Sequence, residues 1–297
     1  MERDRANPRR RLALAQCAPA LGDLKGNLDL HRELTEQAIA ESADLVVFPE
    51  LGLTGYFLKD LVPEMAMTLD DKRLQPLLEL SKELDIVSGM VLKSDDFRYF
   101  NAAVYMSGGE ISHVHRKVYL PTYGMFDEQR YFAAGDRVRA FDAAGLRTGI
   151  LVCEDMWHLS TPYLLFVQGI SLLVCISASP GRGVLANPSA DLAPGSVGSW
   201  RDLLRTVAEY TTTYVAYCNR LGYEDGVNFW GGSCVFGPDG QPVREAGLES
   251  AELLLADIDL REVERQRLAT PLLRDEKVEF TLRELERIWN ERTDGPY

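Results

Sequence analysis

Apolar residues along this chain fall into short runs broken by glycine, proline and acids, and other stretches repeat at helical spacing. The runs 12–16, 44–48, 86–92, 171–177, 215–219 and 253–258 are too short and too uniformly apolar for surface helices and predict strands, most of them buried. Thr148-Gly149-Ile150-Leu151-Val152-Cys153 is another such run, and it predicts a strand ending at Cys153. Leu28, Leu34, Ala38 and Ile39 share one helical face, with Asn27 as the N-cap of a helix beginning there. Further helices are predicted over 70–84, 163–169, 200–212, 260–268 and 282–289; Ser160, Thr161 and Pro162 supply the entry to the second of these. Two hairpins are predicted, one pairing 99–106 with 111–119 across Ser107-Gly108-Gly109, the other pairing 232–236 with 241–244 across Pro238-Asp239-Gly240.

Three stretches stand outside this pattern. Residues 1–10 are polar and basic and read as a loose arm, and 120–136 has no clean period and reads as a long ordered loop. Residues 181–199 are rich in Gly, Pro and Ala and read as a mobile insertion. Strands and helices alternate twice with no low-complexity linker, so a single α/β domain of layered sheets is expected over 11–275. The remaining 276–297 is expected to form a helix and tail, with Leu282, Leu285 and Trp289 as an apolar stripe to be buried either on its own domain or against a second subunit.

Composition narrows the partners. Over 297 residues the net charge is −13, which argues against nucleic acid and anionic membrane surfaces. No apolar run has the length of a membrane span. Arg9-Arg10-Arg11 before an apolar stretch resembles an export signal, but Gln16 and Pro19 interrupt it. The cysteines Cys17, Cys153, Cys175, Cys218 and Cys234 are odd in number and lack CxxC spacing, as expected of free thiols in a reducing cytoplasm. His113 and His115 share a strand face without a third ligand at a suggestive spacing, so neither a metal nor a cofactor is expected.

Candidate chemistry sits at strand ends. Glu50, Lys117 and Cys153 each close or follow an apolar run, where layered α/β folds gather reactive groups at one rim. A thiol nucleophile needs a base for its proton and a cation for the developing negative charge. Glutamate and lysine can fill those roles, which suits attack on an amide or nitrile carbon.

These residues lie in segments that resemble the nitrilase, or carbon–nitrogen hydrolase, superfamily. The segments are Leu45-Val46-Val47-Phe48-Pro49-Glu50 with Thr54-Gly55-Tyr56, then His115-Arg116-Lys117-Val118-Tyr119-Leu120-Pro121, then Val152-Cys153-Glu154-Asp155. Their order and spacing match the family, and Gly22-Asp23, Asn27, Gly232-Ser233 and Pro238-Asp239-Gly240 extend the likeness. The resemblance implies a four-layer αββα sandwich whose subunits pair or assemble further, hence a homodimer or higher homo-oligomer.

Within the superfamily the likeness is greatest to the glutamine-amide-hydrolysing domain of glutamine-dependent NAD synthetases. It rests on Tyr119–Glu128, Arg130-Tyr131-Phe132, Cys153-Glu154-Asp155-Met156-Trp157 and Ser177-Ala178-Ser179-Pro180. The chain departs from that pattern in carrying 181–199 and in reaching 297 without a segment resembling the ATP-using part. The resemblance implies that Glu50 is the general base and acid, Cys153 the nucleophile and Lys117 the oxyanion cation. It implies further that Glu128 is a second carboxylate, and that the Glu154 N–H joins Lys117 at the oxyanion. Tyr56, Tyr123, Phe126, Glu154, Trp157 and Ser177 are candidates for substrate contacts, and Arg182 for a clamp on a substrate carboxylate. Cys175, Cys218 and Cys234 are expected to be inert, and His158 is too close in sequence to Cys153 to serve as its base. The expected function is hydrolysis of a small carboxylate-bearing amide, such as glutamine, through a Cys thioester. Hydrolysis of N-carbamoyl amino acids or nitriles, acyl transfer to an amine, and an ammonia-supplying or non-catalytic subunit of a separate synthetase are the alternatives.

Overall fold

The computed structural model describes residues 7–181 and 195–293. In chain order the first half comprises β1 (Arg9–Gln16), α1 (Leu24–Ala40), β2 (Leu45–Val47), α2 (Val62–Met65), α3 (Gln75–Leu80), β3 (Asp85–Lys93), β4 (Tyr99–Ser107), β5 (Glu110–Arg116) and β6 (Phe141–Ala143). Then follow β7 (Leu146–Val152), α4 (Ser160–Phe166), β8 (Leu172–Ser177), α5 (Gly195–Thr211) and β9 (Tyr214–Asn219). The last elements are β10 (Leu221–Glu224), β11 (Val227–Trp230), β12 (Cys234–Phe236), β13 (Pro242–Glu245), β14 (Glu252–Asp259), α6 (Leu260–Ala269), α7 (Leu272–Asp275) and α8 (Val278–Thr293).

Two six-stranded sheets run β14-β1-β2-β3-β4-β5 and β13-β12-β9-β8-β7-β6, and β10 pairs with β11 alone. The centres are parallel, β1-β2-β3 in one sheet and β7-β8-β9 in the other, with antiparallel strands outside them. Parallel neighbours need crossovers, and α1, α4 and α5 provide three of them. Alternation along the strands then builds the layers. Leu12, Leu14, Leu45 and Val47 face the second sheet, whereas Ala13, Ala15, Val46 and Phe48 belong to a separate core with Ala38 of α1 and Leu77 of α3. On the far side of the second sheet, Trp200, Leu204 and Val207 bring α5 onto the main core. The result is the expected four-layer α/β sandwich. No helix among the described residues is long and apolar enough to cross a membrane.

Several boundaries differ from the sequence reading, each for a local reason. β1 begins at Arg9, so residues 9 and 10 are strand and not part of a loose arm; Arg10 is buried and its Nε donates to Ala144 O at 2.6 Å. α1 begins at Leu24 because Asp23, not Asn27, caps it, with Asp23 Oδ1 accepting from Gly26 N at 2.9 Å. Asn27 instead exchanges hydrogen bonds with Ala20 (N to Oδ1 2.8 Å, Nδ2 to O 2.7 Å) and so fastens the turn after β1. Residues 70–84 form no single helix: Pro76 sits in the first turn of α3, which follows a short 3-10 segment capped by Asp71. β5 stops at Arg116, and the chain leaves the strand at Lys117. Nothing in the apolar pattern announced the β10–β11 hairpin.

Candidate active site

β7 delivers the nucleophile candidate. The strand ends at Val152, and Cys153 itself takes φ +47°, a left-handed conformation that residues with a side chain rarely adopt. That reversal starts a 3-10 turn over Cys153–Trp157 and leaves Cys153 buried at the strand mouth. Strain of this kind persists only where the surroundings impose it, and it clusters at functional sites.

The end of β8 brings the thiol and the base candidate together. Ser177 Oγ donates to Cys153 Sγ at 3.3 Å, and the N–H of the next residue, Ala178, donates to Glu50 Oε2 at 2.8 Å. Glu50 lies in the turn after β2, and this turn presses on Gly89 of β3. A Cβ at Gly89 would stand 2.5 Å from both Leu51 N and Pro49 O, so the turn requires glycine there. The other Glu50 oxygen, Oε1, accepts from Asn101 Nδ2 and from Lys117 Nζ, each at 2.7 Å.

Lys117 makes a second short contact, from Nζ to Glu128 Oε1 at 2.7 Å, and Tyr56 OH donates to that same oxygen at 2.5 Å. Its backbone is tied on both sides, N to Asn101 O at 2.9 Å and O from Gly135 N at 2.7 Å. Two carboxylates, one ammonium and one thiol thus share a buried volume. Burial works against the ammonium, yet Glu128 and Glu50 hold the Lys117 pKa well above its ordinary value. Burial pushes the Glu128 carboxyl up to about 7, assisted by Glu50 and opposed by Lys117 and Tyr56. Burial also raises the Cys153 thiol well above its ordinary range, and Glu50 adds to the effect while Lys117 opposes it. The resting sulfur is therefore protonated, with a carboxylate close enough to influence it.

Outside this cluster a cavity of about 100 Å³ opens beside Cys153, lined in part by Tyr123, Phe126, Glu154, Trp157 and Trp200. Tyr123 OH donates to Glu154 Oε2 at 2.8 Å, and His158 Nε2 stands 3.8 Å from Glu154 Oε1, away from the thiol. Four of the residues proposed for substrate contact, Tyr123, Phe126, Glu154 and Trp157, meet at this mouth. Two others are placed differently. Tyr56 is the hydrogen-bond partner of Glu128, behind the Phe126 ring at 6.1 Å between centroids, and Ser177 serves the thiol. Arg182 lies outside the described residues. Among the described residues no group of three or more His, Cys, Asp or Glu side chains could hold a metal ion.

Sequence reasoning missed Asn101, the Ala178 N–H and Trp200. Asn101 did carry a signal, as a lone amide inside the apolar run of β4. It missed also the buried pair Arg220–Glu224, whose Glu224 Oε1 accepts the N–H groups of Tyr56 (2.8 Å) and Phe57 (2.6 Å) and so holds the Tyr56 loop in place.

Comparison with known proteins identifies the family. The family profile described as "Carbon-nitrogen hydrolase" matches residues 11–268. The glutamine-dependent NAD(+) synthetase of Thermotoga maritima is 34% identical over 269 residues, which cover 89% of this chain and 44% of that protein. The structure of glutamine-dependent NAD+ synthetase from Acinetobacter baumannii superposes with a TM-score of 0.76 at 29% identity, over 86% of this chain and 46% of the other. A mutant amidase from Nesterenkonia sp. AN1, solved with the acetamide moiety of fluoroacetamide covalently added at its active-site cysteine, superposes with a TM-score of 0.74 at 25% identity. It is matched over 96% of its length and 94% of this chain. The present chain thus spans less than half of each synthetase and nearly all of the amidase. A family match over most of its length makes this chain a member of the carbon–nitrogen hydrolase family and an enzyme of that class.

Proposed function

We propose that the enzyme hydrolyses a small amide through a thioester on Cys153. The observation that carries this reading is the pair of bonds from consecutive residues, Ser177 to the Cys153 sulfur and Ala178 N–H to Glu50, which holds thiol and carboxylate at one point. Glu50 takes the thiol proton as sulfur attacks the amide carbon, and Lys117 with the Glu154 N–H receives the oxyanion. Glu50 returns the proton to the leaving nitrogen, and ammonia departs. A water that gives its proton to Glu50 then attacks the thioester, releasing the acid and restoring the thiol. Glu128, hydrogen-bonded by Lys117 and Tyr56, holds the ammonium in position.

The substrate reading is an amino-acid amide, with glutamine first. Glu154 places negative charge at the mouth, where it suits an α-ammonium group, and the synthetase relatives are named for glutamine. Substrate carboxylate recognition by Arg182 is part of the same proposal. Ammonia release should be measured with glutamine, neutral aliphatic amides, N-carbamoyl amino acids and nitriles, using Cys153→Ala as control. Glutamine is expected to be preferred, with a transient acyl-enzyme mass on Cys153. Faster turnover of neutral amides would overturn the substrate reading, and ammonia release undiminished in Cys153→Ala would overturn the mechanism.

We also propose a homodimer or larger homo-oligomer built partly on α8. Leu282, Leu285 and Trp289 are 67%, 60% and 68% exposed, an apolar stripe that another subunit would cover. A monomeric mass by light scattering that persists at high concentration would refute this.

A further inference from the structure

Asp155, two residues beyond the nucleophile, is fully buried and its carboxylate takes four donors. Oδ1 accepts the backbone N–H groups of Val118 and Tyr119, both at 2.9 Å. Oδ2 accepts the Val152 N–H at 3.1 Å and His115 Nε2 at 2.8 Å. The contact suits the His115 tautomer that carries its proton on Nε2. Val118 directly follows Lys117, and Val152 directly precedes Cys153. One side chain therefore spans the two backbone segments that carry the cation and the sulfur. The segments come from different sheets, since β5 ends at Arg116 in the first and β7 at Val152 in the second. The turn bearing Asp155 is itself anchored, because Thr161 Oγ1 donates to Asp155 O at 2.5 Å.

We propose that Asp155 is a positioning residue for carbon–nitrogen hydrolysis, setting the distance between Lys117 and Cys153 by accepting backbone N–H groups from both of their segments. It touches neither substrate nor sulfur, and it acts through the main chain. The role rests on the reading of Cys153 as nucleophile and Lys117 as oxyanion cation. Asparagine at this position makes a sharp probe because it keeps the shape. Whichever way its amide is turned, the NH2 group meets N–H donors, those of Val118 and Tyr119 on one side or that of Val152 on the other. His115 can change tautomer and accept, so the favoured orientation keeps the amide oxygen on Val118 and Tyr119. The segment before Cys153 is then the one released.

The test compares wild type with Asp155→Asn and His115→Leu by two readouts. One is kcat and KM on the amide identified by the substrate screen; the other is the rate of Cys153 alkylation by iodoacetamide at fixed pH, followed by intact mass and peptide mapping. For Asp155→Asn with an unchanged near-ultraviolet circular dichroism spectrum, kcat and the alkylation rate should each fall about tenfold or more, since small misplacements of reacting groups have large effects. KM should stay within about threefold, as expected when only transition-state interactions are lost. His115→Leu keeps the three backbone donors but removes the side-chain contact that fixes the turn of the Asp155 carboxylate, so it should shift both rates in the same direction by about threefold. It decides the matter if Asp155→Asn does not fold. A folded Asp155→Asn that melts at lower temperature yet keeps wild-type kcat and alkylation rate would show a merely structural residue and overturn the proposal. So would wild-type rates in His115→Leu when that variant alone is soluble. Alkylation requires no substrate, so an enzyme inactive on every amide but with slowed alkylation in Asp155→Asn would sink the amide reading and leave the positioning role standing.

Discussion

The interior of the site and its mouth are built by opposite means. Inside, Glu50, Lys117 and Glu128 are at most 4% exposed, come from three separate segments, and are joined to one another by bonds of 2.7 Å. At the mouth, Tyr123 and Trp157 are 51% and 42% exposed and sit among rings, and Tyr123 donates a hydrogen bond to Glu154. Buried charges must satisfy each other, so any one of them constrains the rest. Exposed aromatics are not bound in that way. The interior should therefore govern the chemical step, and the mouth should govern which molecule reaches it.

The largest expected effect tests the interior at its centre. Cys153→Ala should lower turnover at least roughly 10⁴-fold, because the proposed thioester needs that sulfur. Iodoacetamide should label the wild type at this residue, and labelling at Cys218 or Cys234 instead would remove the assignment. Next comes Lys117→Ala, which should reduce kcat by about 10²–10³-fold while leaving KM nearly unchanged, the usual cost of one oxyanion donor. A rise in KM at constant kcat would move Lys117 from the interior's role to the mouth's.

A smaller effect concerns stability. Glu128 has its carboxyl raised from 4.5 to about 7 in the fold. A raised folded pKa means that the folded state binds the proton more tightly, so this group's contribution is full below about 4.5 and is lost as pH rises through about 7. Glu128→Gln imitates the protonated form. Its urea-unfolding free energy should match wild type near pH 4 and exceed it above pH 7 by on the order of 2 kcal/mol. A difference independent of pH would mean that the carboxyl is not raised. The smallest effect belongs to the mouth: Tyr123→Phe should raise KM for glutamine about threefold, with kcat unchanged, by freeing Glu154. A loss in kcat there would erase the division between the two regions.

The same division explains what could be read from the sequence. Glu50, Lys117 and Cys153 were legible because each is a polar residue closing an apolar run, in segments whose order resembles a known superfamily. A layered α/β domain was legible from the alternation of short apolar runs with helical spacing, whereas the four layers were implied only by the resemblance. Asn101 and the Ala178 N–H were not, because their role depends on β4 and β8 arriving from opposite sheets at the Glu50 carboxylate. Asn27 misled for a similar reason: as a cap it satisfies local chemistry, but its amide bonds across a turn to Ala20 and on to Leu53 O at 3.1 Å. The start of β1 was hidden because Arg9 and Arg11 reach acids on β14, and only the pairing makes basic residues good strand residues there. Tyr56 looked like a pocket aromatic, and nothing local reveals that its hydroxyl serves Glu128.

The burial of the nucleophile has a consequence for life under oxidants. All five cysteines are unpaired and buried. Burial pushes the Cys17 thiol up to about 12 and raises Cys153 well above its ordinary value. Peroxide attacks the thiolate and hardly touches the thiol, and the sulfenic acid it forms would end catalysis. An idle site of this kind holds its sulfur mainly as the thiol, slow to react with peroxide or with iodoacetamide. In the mechanism proposed above the thiolate forms as the substrate carbon is attacked, so substrate and oxidant would compete for the same anion.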